Sequence, residues 1–279
     1  DPANAFTTFG GNNRTSFYAI GGGNSSISEG FQQTRIGNPD AKWEKNINSN
    51  IGIDLSLFNS TVQLTADYYR KDIEDLLFNP NLPATVGTAT VPYVNIAEMT
   101  NSGFDMDLST YFKLGKDLRL NTTLTLTTYD NEIVKVADGF QYFDLEGRRF
   151  NGSSIIRNAE GNSVSQFFGY QVDGFWDSQD EIDQANADAI AATGNSNATY
   201  QNDVAVGRFR YQDINGDNII DDQDRTFLGN PNPDFTYGIN IELIYKNLDF
   251  SMFLYGSQGN DIWNNVRWWT DFYSSFQGA

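Results

Sequence analysis

The 279-residue chain has no cysteine and no histidine. The first absence excludes disulfides and thiolate metal ligands, and leaves the redox compartment unread. The second excludes a Ser-His-Asp or Cys-His arrangement and any histidine-ligated zinc or haem. Catalysis would fall to carboxylates, tyrosine or lysine, and none of these forms a recognisable motif, so the chain does not read as an enzyme. Basic residues are scarce too, with 18 Lys+Arg against 36 Asp+Glu and a formal net charge of -18. Phosphate binding needs a basic footprint, so nucleic acid is excluded as a partner. The acidity fits either a solvated surface or a cation site, the latter only where carboxylates cluster at ligand spacing. No run of about 18 apolar residues occurs, so no helix is expected to cross a membrane; barrel strands, which alternate, escape that test.

What is abundant is aromatic residues, 21 Phe and 14 Tyr, in a chain of mean hydropathy -0.48. That combination suits a barrel with one face in lipid and one in water, and equally a β-sandwich with an aromatic core. Asp1-Pro2-Ala3 shows neither an initiator Met nor a signal-peptide pattern, and Gln277-Gly278-Ala279 trail off after an aromatic stretch. Both ends are therefore expected to be cuts within a longer polypeptide.

Period-2 alternation dominates. Ile51, Ile53, Leu55 and Leu57 alternate with Asn50, Gly52, Asp54 and Ser56; after Phe58-Asn59-Ser60 the return strand sets Val62, Leu64, Ala66 and Tyr68 against Gln63, Thr65, Asp67 and Tyr69. A second hairpin places Phe104, Met106 and Leu108 opposite in phase to Asp105, Asp107 and Ser109. It turns at Lys113–Asp117 and returns through Leu120, Thr122, Leu124 and Leu126. A third runs from Phe235 to Tyr245, turns at Lys246-Asn247 and returns through Leu248, Phe250, Met252 and Leu254. Such strands are about the 9–11 residues that cross a bilayer when tilted.

Connections are unequal: the three turns are short, whereas Ile73 to about Tyr93 and Asp130 to about Pro233 are long. Short turns on one side and long loops on the other predict an all-β fold, part of a large antiparallel transmembrane barrel with long extracellular loops. Phe58, Tyr111, Phe112 and Tyr245 near the turns, and Tyr68, Tyr69 and Tyr129 at the far ends, are expected to form interfacial girdles. Within the 130–233 region, Asp180 to about Thr193 reads as a polar helix with Ser178 as N-cap, and Val164–Trp176 as strand.

One motif in that region points to chemistry. Across residues 213–224 (DINGDNIIDDQD) polar side chains fall at loop positions 1, 3, 5, 9 and 12, the ligand spacing of an EF-hand-like calcium loop. Asp213, Asn215 and Asp217 supply side-chain oxygens, Ile219 its carbonyl, Asp221 a direct or water-bridged contact, and Asp224 the closing carboxylate of a structural calcium site. Asn218 stands where glycine is usual, though asparagine tolerates the left-handed conformation. Asp224 is shorter than the usual Glu, and the flanks are not a helix pair, so the loop is dockerin-like without an EF-hand. A metal-free loop rich in Asx-turns would show the same residues. Inward-facing Asp54, Asp67, Asp105, Asp107, Glu242 and Asp249 would line a hydrated lumen, facing Arg119 or a plug; the solvated face of any sheet would look alike. Trp263, Trp268, Trp269, Phe272 and Tyr273 suit either stacking on sugar rings or interfacial packing.

Several segments resemble the SusC/RagA family of TonB-linked outer-membrane proteins. They are GNPDAKWEKNINSNIGID (residues 37–54), DYYRKDIEDLL (67–77), MTNSGFDMDL (99–108), GNSVSQFFGYQVDGFWDSQDEI (161–182) and RYQDINGDNIIDDQDRTFLGNPNPDFTYGINIEL within 206–263. The resemblance covers most of residues 37–263, and rests on order and spacing more than on any one piece. It implies a barrel of about 22 strands with a plugged lumen, set in outer-membrane lipid. TonB would energise it, through a part of the protein absent here, and a SusD-like lipoprotein would cap it. Its substrate would be a glycan or peptide. The plug domain is not in this segment, and residues 1–36 carry little of the resemblance. The competing expectation is a secreted, calcium-stabilised β-rich carbohydrate-binding module.

Overall fold

The computed structural model describes all residues except 1, 12–15, 20–26, 80–86, 88, 145–148, 151–152, 268–269 and 271–279. Contacts divide the chain into two compact units. The first comprises residues 1–146, 158–164 and 234–258, the second residues 147–157, 165–233 and 259–279.

The first unit is built on a seven-stranded antiparallel wall. Its strands are β1 (Lys45–Leu57), β2 (Val62–Phe78), β3 (Val94–Lys113), β4 (Leu118–Thr128), β5 (Asp130–Val136), β6 (Phe235–Tyr245) and β7 (Leu248–Gln258). The order is β7-β6-β4-β3-β2-β1, with β5 also on β3. β4 and β5 hold one register against β3, from Lys113↔Arg119 to Asp105↔Thr127 and on to Ser102↔Asp130. They act as a single long strand interrupted at Tyr129, whose N–H turns to Asp234 O at 3.3 Å. The β1–β2 hairpin closes through Phe58, Asn59 and Ser60, all with positive φ.

Because pairing is in register, alternation along each strand becomes rows across the wall. One face stacks Leu55, Leu64, Leu108, Leu124, Ile239 and Leu254 in a single row. The row above it contains Ile53, Ala66, Met106, Leu126 and Tyr237, and the row below contains Leu57, Val62, Ile241 and Met252. Many of these side chains are exposed, Ile51 at 73% and Leu254 at 48% among them. The apolar face runs from the row Tyr68, Phe104, Phe235 to the row Leu118, Tyr245, Leu248. The eleven residues of β6 at about 3.3 Å each make about 33 Å of strand. A tilt of about 35–45° reduces that to roughly 25 Å, the height of an outer-membrane barrel's apolar band.

Two boundaries fall elsewhere than the sequence pattern placed them. The long connections do not begin at Ile73 and Asp130: β2 runs on to Phe78 and Asp130–Val136 is strand, while β3 starts at Val94, where the first connection was expected to end. Above the Tyr68–Phe104 row the two faces exchange character. The side that is apolar below now carries Arg70, Asp72 and Thr100, with Asp72 accepting from Arg70 at 2.9 Å and from Thr100 at 2.8 Å. Those bonds hold the Asp72 carboxyl below its ordinary range. The side that is polar below turns apolar and buries a core of Ile96, Ala97, Ile133, Val136 and Phe143, with Met99 and Val164 against it. The core of this unit therefore lies beyond the apolar band, where water is available to drive burial.

Girdle positions change for the same reason. Register puts Tyr69 and Tyr111 on the polar face, opposite Asn50 and Asn121. Tyr129 joins them there, since its hydroxyl donates to Asn101 Oδ1 at 3.0 Å. Tyr68, Phe112 and Tyr245 keep the outward position, and Phe104 and Phe235 take the places the other tyrosines were expected to fill. Adjacent tyrosines on a strand cannot share a face.

The second unit carries the helix α1 (Gln179–Thr193), capped by Ser178 Oγ accepting from Glu181 N and ended by left-handed Gly194. Strands Gln166–Tyr170 and Val172–Phe175 occupy the stretch expected to be strand, and pair with Arg225–Gly229 and Phe209–Tyr211. Trp176 (2% exposed) and Ile182 are buried, with Tyr200 edge-on to the Trp176 ring at 5.8 Å. Arg210 forms ion pairs with Glu181 and Asp173.

Candidate functional site

The polar face of the wall gathers the expected inward carboxylates into rows. Asp67 is paired with Asp105, Thr65 with Asp107 and Asp54, and Asn121 with Glu242. Hydroxyls and amides satisfy three of them: Thr65 donates to Asp54 at 2.7 Å, Ser109 to Asp107 at 3.0 Å and Asn121 to Glu242 at 2.6 Å. None of the six, Asp249 included, forms an ion pair among the described residues, and neither does Arg119. The face is acidic.

Higher on the same face lie two rows that sequence reasoning passed over: Asn48, Lys71, Asn101 and, on β5, Asn131; then Asn50, Tyr69 and Gly103. Tyr69 lies across Gly103 and donates to Thr128 O at 3.2 Å; a Cβ at residue 103 would collide with the phenol and that carbonyl. Asn131 Nδ2 donates to Asn101 Oδ1 at 2.6 Å and its Oδ1 accepts from Val164 N at 2.7 Å. Their alternation with Ser49, Arg70 and Ser102 marks the positions as one face in the sequence, but only the register brings them together.

The 213–224 loop is folded around its own carboxylates. Asp213 accepts from Gly216 N at 2.7 Å and Asn218 N at 2.8 Å. Asn215 Oδ1 accepts from Asp217 N at 3.0 Å, and Asp217 Oδ1 from Ile219 N at 2.8 Å. Asp224 is fully buried and takes Ile214 N at 2.9 Å on one oxygen and Asp221 N at 2.8 Å on the other. Asp221 in turn accepts from Gln223 N, so Asp221 and Asp224 cap each other across a 3-10 turn. Asn218 has φ 64° and Gly216 φ 80°, so the asparagine at position 6 does adopt the left-handed conformation. Asp213, Asn215, Asp217, Ile219, Asp221 and Asp224 thus sit on one closed loop. Among the described residues no three carboxylates are gathered as a ready metal cluster. Beside the loop, burial and then Asp222 raise the Tyr170 phenol above its usual range. Of the five C-terminal aromatics, Trp263 is described and exposed; Trp268, Trp269, Phe272 and Tyr273 lie outside the described residues.

Residues 3–274 match the family model "TonB dependent receptor-like, beta-barrel". TonB-dependent receptor P26 of Formosa agariphila is 33% identical over 240 residues, covering 84% of this chain and 23% of that protein. TonB-dependent receptor SusC of Bacteroides thetaiotaomicron is 24% identical over 231 residues, covering 81% of this chain and 20% of that protein. The solved structure of the RagAB peptide transporter superposes with a TM-score of 0.67 at 20% identity, over 96% of this chain and 25% of that one. This chain thus spans about a quarter of these relatives, and those named here are receptors and a transporter, not enzymes. The apolar band, the polar inner face and a family match over almost the whole length agree: the chain belongs to the TonB-dependent receptor β-barrel family, of SusC/RagA type, and is part of an outer-membrane barrel.

Proposed function

We propose that the full-length receptor imports a bulky nutrient, a glycan or oligopeptide, across the outer membrane. TonB energises the step, and a SusD-like lipoprotein caps the barrel outside. The carrying observation is the wall's two faces: an apolar band of about 25 Å against lipid and a polar face bearing unpaired carboxylates toward a lumen. A secreted carbohydrate-binding module would bury the apolar face, whereas Ile53, Leu55 and Leu254 on it are exposed. The connection from residue 137 to 233 then lies outside the cell, where it meets the lipoprotein. The test is uptake of labelled oligosaccharide and oligopeptide pools by cells with the receptor gene intact, deleted, or intact in a TonB-null background. Uptake lost in both mutants is expected; uptake unchanged in both refutes import.

We also propose that residues 213–224 hold one calcium ion as a structural clip. The ligand spacing, the left-handed Asn218 and the wrapping of Asp213 around the amides of 216 and 218 support it. The ion would draw on oxygens of Asp213, Asn215, Asp217 and Asp224 and the Ile219 carbonyl, with Asp221 direct or through water. It would offset the mutual repulsion of four carboxylates in one turn.

A further inference from the structure

We propose that Asn215 is a site of spontaneous covalent modification, deamidation with isomerisation to isoaspartate, and that the closed 213–224 loop holds the reaction in check. The reaction needs only water. The main-chain nitrogen of Gly216 attacks Asn215 Cγ, a nitrogen–carbon bond forms, and the Cγ–Nδ2 bond breaks. The displaced nitrogen takes the proton that Gly216 gives up and leaves as ammonia. Water then opens the cyclic imide at either carbonyl. Opening at the main-chain carbonyl leaves isoaspartate, and opening at Cγ leaves aspartate. The attacking nitrogen is least crowded where the following residue has no side chain, so Asn-Gly is the pair of greatest intrinsic reactivity.

Asn-Gly occurs twice in the sequence, at 151–152 and 215–216. The first pair lies outside the described residues. Asn215 and Gly216 are both exposed, and a Cβ on Gly216 would meet nothing within 4 Å. Nearby Asn218 is followed by Ile219, whose branched side chain crowds the nitrogen. Solvent therefore reaches Asn215 freely, and what stands against the reaction is the loop's own bonding.

Gly216 N–H donates to Asp213 Oδ1 at 2.7 Å, which keeps the proton on the nitrogen that must lose it. Asp217 holds the target carboxamide at both ends. Asn215 Oδ1 accepts from Asp217 N at 3.0 Å, and Asn215 Nδ2 donates to Asp217 Oδ2 at 3.1 Å. Swinging Cγ onto Gly216 N would break both bonds. The attacking amide anion would also form beside two carboxylates, which repel it. Buried Asp224 closes the ends of the loop by accepting from Ile214 N and Asp221 N. These bonds suffice without calcium, and whatever the barrel imports. Each local opening exposes an unprotected Asn-Gly. Once it has reacted, the loop cannot return. Both products add a negative charge to a segment that already has Asp213, Asp217, Asp221, Asp222 and Asp224. Isoaspartate also adds one carbon to the main chain between Asp213 and Asp217. The Asn215–Asp217 bonds are then lost, and with them the spacing that sets Asp213 against the amides of Gly216 and Asn218.

The experiment uses the full-length receptor in detergent with a calcium chelator, kept warm in mildly alkaline buffer. Each sample is paired with the same protein unfolded in urea, which gives the unprotected rate for its own sequence. Peptide mass spectrometry reads conversion at residue 215, and electron-transfer fragmentation separates isoaspartate from aspartate. Wild type should convert roughly tenfold or more slowly when folded than when unfolded, the protection that local closure confers. Asp213→Ala frees Gly216 N–H, and its folded and unfolded rates should be close. Asp213→Asn still offers Gly216 a carbonyl oxygen and should keep most of the protection. Heat-modifiable mobility checks that each variant is an assembled barrel. Equal folded and unfolded rates in wild type, full protection in Asp213→Ala, or as great a loss in Asp213→Asn as in Asp213→Ala overturns the proposal. So does an unfolded chain that leaves Asn215 intact.

Discussion

An arginine placed on each face of β6 at nearly the same depth tests the orientation of the whole wall. Ile241 and Asn240 are neighbours on the strand and point to opposite faces, Ile241 in the row with Thr122 and Met252, Asn240 in the row with Thr123 and Phe253. From Phe235 to Tyr245 the band is about 25 Å tall at the usual tilt, and Ile241 stands about 10 Å above the Tyr245 row, within a few ångströms of the midplane. Arginine facing lipid at that depth costs about 2–4 kcal/mol, a factor of roughly 30 to 1,000 in the folding equilibrium, since 1.4 kcal/mol is about tenfold. At position 240 the side chain enters the polar face between Thr123 and Phe253, and the cost should stay within about 0.5 kcal/mol. The assay is urea unfolding of the full-length receptor refolded into lipid vesicles, followed by tryptophan emission and by the heat-modifiable shift of the folded barrel. Ile241→Arg should lose assembled barrel while Asn240→Arg resembles wild type. Equal tolerance at both positions, or greater damage at 240, refutes the assignment of faces.

Other expectations follow from the same structure. Chelating calcium from the intact receptor should speed amide exchange across residues 206–232 while leaving β6 and β7 protected, and Asp217→Ala should mimic it; unchanged exchange in both cases sinks the metal clip. Asp224→Ala strips the acceptor from the amides of Ile214 and Asp221 in a fully buried position, at about 1–3 kcal/mol for each amide left unsatisfied, so exchange in the loop should rise even without calcium. Ile133→Ala opens a void in the core above the band and should cost about 2–5 kcal/mol, read as faster exchange in β5 and in β3 near Met99, with the band rows unaffected. Protease added to intact cells should nick residues 137–233, more readily once the partner lipoprotein is deleted; cleavage from the periplasmic side alone would invert the topology. Because the Asp72 carboxyl is held below its ordinary range, its bonds to Arg70 and Thr100 should persist at pH values where free aspartate is protonated, and be lost as pH falls through that lowered value. Side-chain carboxyl NMR reads this directly.

Alternation by itself determined three hairpins, their short turns and the composition of each face, because a strand's side-chain period of two is local and independent of any partner. The α1 cap at Ser178 and the left-handed Asn218 were equally legible, since both are satisfied within a few residues. Register was not. It assigned Tyr69 and Tyr129 to the inner face beside Asn48, Asn50 and Asn101, and it decides which side of a strand each aromatic serves, a choice that one-residue steps reverse. Nor did the pattern reveal that β2, β3 and β5 continue past the band. There the apolar residues switch faces, Ile73 following Lys71 on the side that was polar, and a change of phase reads in sequence as the end of a strand. The solvent explains the switch. Below the Tyr68–Phe104 row the outer face meets lipid and must be apolar; above it both sides meet water, so the apolar residues turn toward each other and the core forms around Ile96 and Ile133.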